Sequence, residues 1–133
     1  TAGAIGMLNG KVKSDFFVIN CDTILSINLK KFYDYHKKNN YKITLAAASK
    51  NFNLPYGSCE TKNNGQLKKI TEKPNINYLV NVGLYLINSD LISLVKKNKF
   101  LGMDAFIKKV QKRKGSVGVY PINEESWRDV GQK

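Results

Sequence analysis

The 133-residue chain is poor in several residue types on which whole classes of function depend. It has two cysteines, Cys21 and Cys59, and one histidine, His36. A structural zinc site takes about four ligands at characteristic spacing, and these three residues stand singly, so a zinc module is excluded. A disulfide framework is equally unsupported. Cys21 follows an apolar stretch, and the expectation for it is a buried thiol. The same scarcity leaves no Ser/His or Cys/His constellation for nucleophilic catalysis. No apolar run approaches the roughly 20 residues of a membrane helix. The opening Thr1-Ala2-Gly3-Ala4-Ile5-Gly6 has no basic n-region, so the expectation is a cytoplasmic chain without membrane association.

Acid is also scarce. Ten Asp and Glu face twenty-two Lys and Arg, giving a formal charge of +12. Such an excess attracts polyanions, among them nucleic acid and phosphorylated small molecules. Only Arg113 and Arg128 are arginines, whereas proteins that read bases favour arginine forks. Lys30, Lys31, Lys37 and Lys38 flank one helix-like stretch, and Lys108, Lys109, Lys112, Arg113 and Lys114 decorate another, as solvated faces do. Lys31-Phe32-Tyr33 interleaves aromatics with lysine, as a base-stacking surface would, but both rings fall on an apolar helix face and read as core. Nucleic acid is therefore not the expected partner.

What remains has the balance of a folded protein, with 42% apolar and 24% charged residues. No repeat or linker interrupts it, so residues 1–133 read as one domain. Phe16-Phe17-Val18-Ile19-Asn20 is a continuous apolar run, the mark of a strand buried on both faces. Leu29, Phe32, Tyr33 and His36 recur at helical spacing. Ile43 to Ala48 reads as a second buried strand, and residues 56–60 and 66–71 as hairpin arms around Asn63-Asn64-Gly65. Asn81 to Ile87 is a further strand; Ser89 and Asp90 then start a helix bearing Leu91, Leu94 and Val95. Met103, Phe106, Ile107 and Val110 mark a second strong helix to about Lys112, ended by Gly115, with a last strand over Val117 to Tyr120. Strands alternating with helices predict a three-layer α/β fold whose sheet is mostly parallel, with one hairpin insertion.

In such sheets ligands bind beyond the carboxyl ends of the strands. Asp22 stands directly after the first buried strand, and Asp129 lies in Ser126-Trp127-Arg128-Asp129-Val130-Gly131 after the last. Each alone is ordinary: Asp22 suits a loop cap, and Trp127 suits a packing anchor. Together, two carboxylates at neighbouring strand ends repel unless a cation lies between them, and hard oxygen ligands suit Mg²⁺. Magnesium implies a phosphate substrate, in keeping with the basic balance. Glu72-Lys73-Pro74 offers a cation for a phosphate and a carboxylate for sugar hydroxyls, though a surface ion pair is the commoner meaning. Gly57, after Pro55-Tyr56, and Gly83, two residues after Asn81, are places where backbone can approach a ligand closely.

These segments, taken in order, resemble the sugar-1-phosphate nucleotidyltransferases, or NDP-sugar pyrophosphorylases. The resemblance rests on Thr1 to Ile5, Phe16 to Asp22, Pro55-Tyr56-Gly57, Glu72-Lys73-Pro74, Asn81 to Tyr85 and Trp127 to Gly131, and covers essentially the whole chain. Its wording is closest to bacterial mannose- or glucosamine-1-phosphate guanylyltransferase-like members serving surface-glycan synthesis. It implies a Rossmann-like α/β/α fold and transfer of a nucleotidyl group from an NTP, GTP being favoured, to a sugar-1-phosphate. By resemblance Asp22 and Asp129 match Mg²⁺-binding positions. Gly57, Glu72 and Asn81 match sugar-holding positions, Lys73 one near the sugar phosphate, and Thr1 a nucleobase contact. Asp22, Lys73 and Asp129 are thus the expected catalytic set, and a homo-oligomer is compatible with the resemblance. Cys21 stands where the family often has glycine. The family's glycine- and arginine-rich phosphate loop is not found, so the chain reads as the C-terminal larger part of a domain, expected to turn over poorly alone. A sugar-nucleotide-binding remnant or subunit without catalysis is the alternative, and a basic nucleic-acid-binding domain a weaker one.

Overall fold

A computed structural model of the chain describes residues 2–131. Its centre is a four-stranded sheet in the order β1-β6-β3-β7. The strands are β1 (Phe16–Ile19), β3 (Ile43–Asn53), β6 (Asn75–Ile87) and β7 (Val117–Ile122). Only β3 and β7 run parallel; β1 and β3 both lie antiparallel to β6. The sheet is therefore mixed rather than mostly parallel. The reason lies in the connection: β4 (Ser58–Thr61) and β5 (Leu67–Thr71) are the only elements between β3 and β6. Without a crossover helix to carry the chain back, β6 must return antiparallel to β3. The two long strands form a ribbon from the Ile43–Ile87 rung to the Asn53–Asn75 rung, with the β4–β5 hairpin beyond its end. Gly65 makes the tight turn of that hairpin at φ +81°.

Successive residues of β6 face opposite sides, and each side has its own core. Tyr85 and Ile87 meet Ile5, Ile43, Leu91, Phe106 and Val110 on one face. Val82, Leu84 and Leu86 meet Phe32, Ala46 and Ala48 on the other. Helix α2 (Met103–Lys112) supplies Phe106 and Val110, and α1 (Leu29–Lys38) supplies Phe32. This is the three-layer α/β arrangement. Asn28 starts α1 by accepting the Lys31 amide on its side chain at 2.9 Å, and His36, Lys37 and Lys38 favour its negative C-terminal end.

The apolar face of α1 is narrower than its sequence spacing implies. Phe32 and His36 are buried, while Leu29 and Tyr33 remain exposed. His36 is accommodated because both ring nitrogens have partners, the Thr44 hydroxyl at 2.7 Å and the Asn88 side-chain oxygen at 2.8 Å. Phe32, fully enclosed, cannot stack on a base, whereas Tyr33, expected in the core, is 39% exposed.

Three further expectations need correction. The first strand is not buried on both faces: β1 is an edge strand, and Phe17 and Ile19 are 41% and 52% exposed. Cys21 is exposed rather than buried, because β1 stops at Ile19 and leaves the thiol in the following turn. Residues Ser89–Leu94 form a short 3₁₀ helix instead of an α-helix, since the chain is already extended at Val95.

Burial predicts the energetics of the α1 face. Phe32→Ala should cost about 3–5 kcal/mol of unfolding free energy, and Tyr33→Ala, at a position 39% exposed, much less. Urea denaturation of both variants measures this. Equal losses would place Tyr33 in the core as well.

Candidate functional site

The geometry of the site begins where β1 ends. The Asn20 amide still donates to the Gly83 carbonyl at 2.9 Å, and the Thr23 amide donates to the Asn20 carbonyl at 3.3 Å. The intervening turn carries Asp22. β2 (Thr23–Leu25) then pairs antiparallel with β8 (Trp127–Asp129), with Thr23 opposite Asp129 and Leu25 opposite Trp127. The Val130 amide extends this ladder by donating to the Asp22 carbonyl at 2.9 Å. Residues from the two ends of the chain thus become neighbours.

Their carboxylates converge on Gly131. A β-carbon at that glycine would lie 2.8 Å from Asp22 Oδ2 and 3.3 Å from Asp129 Oδ1. The Gly131 amide donates to Asp129 Oδ1 at 2.9 Å, which fixes one oxygen and leaves the other free. Among the described residues neither carboxylate is ion-paired. Among the described residues no third His, Cys, Asp or Glu completes a metal-binding cluster there. Two hard carboxylates, held together across a space that only glycine leaves open, fit Mg²⁺, which takes one or two protein carboxylates and fills its remaining positions with water and phosphate oxygens.

The other expected site residues fall into two places. Asn81 lies on β6 beside Val82, whose carbonyl accepts the Thr23 hydroxyl at 3.3 Å, so it belongs with the carboxylates. Its own amide is partly engaged. Asn81 Oδ1 accepts the Gly83 amide at 3.1 Å, and Nδ2 donates to the Tyr85 hydroxyl at 2.6 Å. Gly57 and Glu72 adjoin one another: a β-carbon on Gly57 would stand 3.0 Å from Glu72 Oε2. Lys73, at φ +43°, makes the bend before Pro74, and the Leu54 amide closes that end of the ribbon on the Pro74 carbonyl at 3.1 Å. Glu72 and Lys73 are both exposed, and among the described residues they form no ion pair with each other. From Asn75, where the ribbon begins, to Asn81 is about 20 Å along an extended strand. Gly57, Glu72 and Lys73 therefore sit at one end of that stretch, and Asn81, Asp22 and Asp129 at the other. Thr1 lies outside the described residues.

Two residues acquire a role only in three dimensions. Gly131 is the point on which both carboxylates close, and Asn20 lays its side chain over Gly83. The glycine within β6 was the available signal for Asn20. Trp127 packs against the Phe32 side of the sheet, as an anchor should, with Lys50 Nζ 5.8 Å above its ring.

Comparison with known proteins agrees with the fold. A family model described as nucleotidyl transferase matches residues 1–133. Mannose-1-phosphate guanyltransferase of Saccharomyces cerevisiae is 28% identical, the match covering 99% of this chain and 38% of that protein. Mannose-1-phosphate guanylyltransferase 1 of Arabidopsis thaliana is 23% identical with the same coverages, 99% and 38%. The chain thus spans less than two-fifths of the length of these curated relatives, and the likeness is not confined to bacterial proteins. Among solved structures, HddC from Yersinia pseudotuberculosis superposes with a TM-score of 0.66 at 22% identity, over 98% of this chain and 56% of that one. This last likeness is one of fold.

A side chain at position 131 would intrude between the carboxylates. Gly131→Ala should weaken Mn²⁺ binding at least about ten-fold, the loss that even a supporting group at a metal site causes. The electron paramagnetic resonance signal of free Mn²⁺ measures this, and unchanged affinity would separate Gly131 from the site.

Proposed function

The chain belongs to the nucleotidyl transferase family, and from that premise we propose that it serves the transfer of a nucleotidyl group from an NTP to a sugar-1-phosphate, with release of pyrophosphate. The observation that carries this reading is the convergence of Asp22 and Asp129 on Gly131. The relatives' name, mannose-1-phosphate guanyltransferase, favours GTP and mannose-1-phosphate, and thus GDP-mannose for glycan precursor synthesis. We propose the cytoplasm as the place of this work. Among the described residues no helix is long and apolar enough to cross a membrane.

Asp22 and Asp129 would hold Mg²⁺. When bound, the ion supplies charge neutralisation at phosphate oxygens and a template for in-line displacement. The protein's own residues do the positioning. The Gly131 amide holds Asp129 Oδ1 in place, and the β2–β8 ladder holds Asp22 beside it. Asn81 stands on the same strand as Gly83 and presents its remaining amide hydrogen to a hydroxyl. From the hairpin, Lys73 would pair the sugar phosphate and Glu72 would accept from sugar hydroxyls, with Gly57 leaving room for close approach. The sugar phosphate oxygen attacks the α-phosphorus of the NTP, the bond to the β-phosphate oxygen breaks, and pyrophosphate leaves. No side-chain nucleophile is needed, in keeping with the scarcity of His and Cys.

Binding tests the reading independently of turnover. The chain should bind GDP-mannose in the presence of Mg²⁺. EDTA, Asp22→Asn or Asp129→Asn should each lower the affinity at least about ten-fold. Calorimetric titration measures this, and binding indifferent to all three would refute the carboxylate pair. Pyrophosphate release from GTP and mannose-1-phosphate by these 133 residues alone is expected to be slow, because they contain no glycine- and arginine-rich loop to hold the leaving group.

A further inference from the structure

Asn20 is held at the site in a manner that its role as a turn residue does not explain. β1 pairs with β6 up to Ile19 opposite Leu84, and the Asn20 amide adds one more bond, to the Gly83 carbonyl at 2.9 Å. Gly83 adopts φ +79° in the interior of β6. A β-carbon there would fall 2.6 Å from Asn20 Nδ2 and 2.7 Å from Cγ, so the carboxamide lies directly over the glycine. Any other residue at position 83 would displace it. On the opposite edge of β6 the β3 ladder slips between Leu45 and Ala47, which pair with Tyr85 and Asn81, so the register shift falls at this position while the β1 ladder stays regular. Left-handed glycines and bulges within strands recur where a ligand or another chain segment approaches closely.

The carboxamide itself is unspent. An asparagine at a turn commonly uses its side chain to cap the backbone that follows. Here the turn is closed instead by the Asn20 main-chain carbonyl, which accepts the Thr23 amide. Among the described residues the Asn20 side chain makes no hydrogen bond, and the residue is exposed. Its neighbour Asn81 has one oxygen contact on the Gly83 amide and one hydrogen on Tyr85. Asn20 is thus the freer carboxamide, two residues before Asp22 and pinned to the same stretch of β6 as Asn81. An apolar residue would cover Gly83 as well, so packing does not require an amide.

We propose that Asn20 is a substrate-contacting residue whose carboxamide hydrogen-bonds a hydroxyl group of the bound sugar nucleotide, next to the cation held by Asp22 and Asp129. This rests on the function proposed above. With an NH₂ donor and a carbonyl acceptor laid over Gly83, the residue discriminates among sugars by the placement of a hydroxyl rather than by charge.

The test titrates GDP-mannose with Mg²⁺ into the wild-type chain and into Asn20→Ala, Gly83→Ala and Asp22→Asn, with Mn²⁺ affinity measured separately on each. Asn20→Ala should bind GDP-mannose about ten-fold more weakly, the worth of one hydrogen bond left unmade, while keeping its Mn²⁺ affinity. Gly83→Ala, which keeps the amide but moves it, should show the same loss. In the wild-type chain the Asn20 side-chain amide resonance should shift on adding GDP-mannose and not on adding Mg²⁺ alone. This readout stands even if a variant folds poorly. If Asn20→Ala binds GDP-mannose like the wild type while Asp22→Asn does not, Asn20 is no contact and the proposed function stands. If the wild-type chain does not bind at all, both fall.

Discussion

The short antiparallel ladder between Thr23–Leu25 and Trp127–Asp129 is the constraint on which the site depends. Three rungs are marginal by themselves. This pair is held because Leu25 and Trp127, directly opposite each other, both pack against the core formed by Phe32, Leu84 and Leu86. Hydrophobic burial at one end of the ladder therefore works against electrostatic repulsion at the other, where Asp22 and Asp129 meet. A divalent cation turns that repulsion into attraction. The proposed role also fits the observation that, in a chain of charge +12, neither of these carboxylates is ion-paired among the described residues: a lysine between them would occupy the place proposed for the ion.

Much of the fold was legible because hydrophobic period reports local structure directly. The spacing of Met103, Phe106, Ile107 and Val110 marks α2 within a residue or so of its observed bounds, Met103–Lys112. Sheet direction was not legible in the same way. Alternation of strands and helices suggests parallel pairing, but what decides it is the connection, and the β4–β5 hairpin returns the chain without a crossover. Edge position was equally hidden. Phe16 to Ile19 is as apolar as a central strand, and only the pairing of β1 with β6 alone among the described residues shows that half of it faces outward. The exposed Cys21 follows from the same boundary, since one turn residue more or less decides whether a thiol lies in a strand or beyond it.

At the site, chemistry was easier to see than geometry. Asp22 and Asp129 stand out because acid is rare in this chain, Asp22 directly after an apolar strand and Asp129 a few residues beyond another, at the end of β8. The residues that organise them do not stand out. Gly131 matters through the β-carbon it lacks, and Asn20 matters through the left-handed backbone of Gly83, a torsion angle with no one-residue signature. Lys73 is a similar case: its positive φ bends the chain before Pro74, so the Glu72-Lys73-Pro74 segment sets a direction as well as supplying charge. The long β3–β6 ribbon then determines how far that segment stands from the carboxylates.

The central claim is that Asp22 and Asp129 hold one divalent cation. Paramagnetic broadening by Mn²⁺ in the amide proton–nitrogen spectrum tests it most directly, because it maps distance from the ion residue by residue. The amides of Asp22, Val130 and Gly131 should fade first, at substoichiometric Mn²⁺, while those of Gly65 in the hairpin turn and Asp104 on α2 persist. Broadening that starts instead at Glu124 and Glu125, or at all acidic residues alike, would contradict a site built from these two carboxylates.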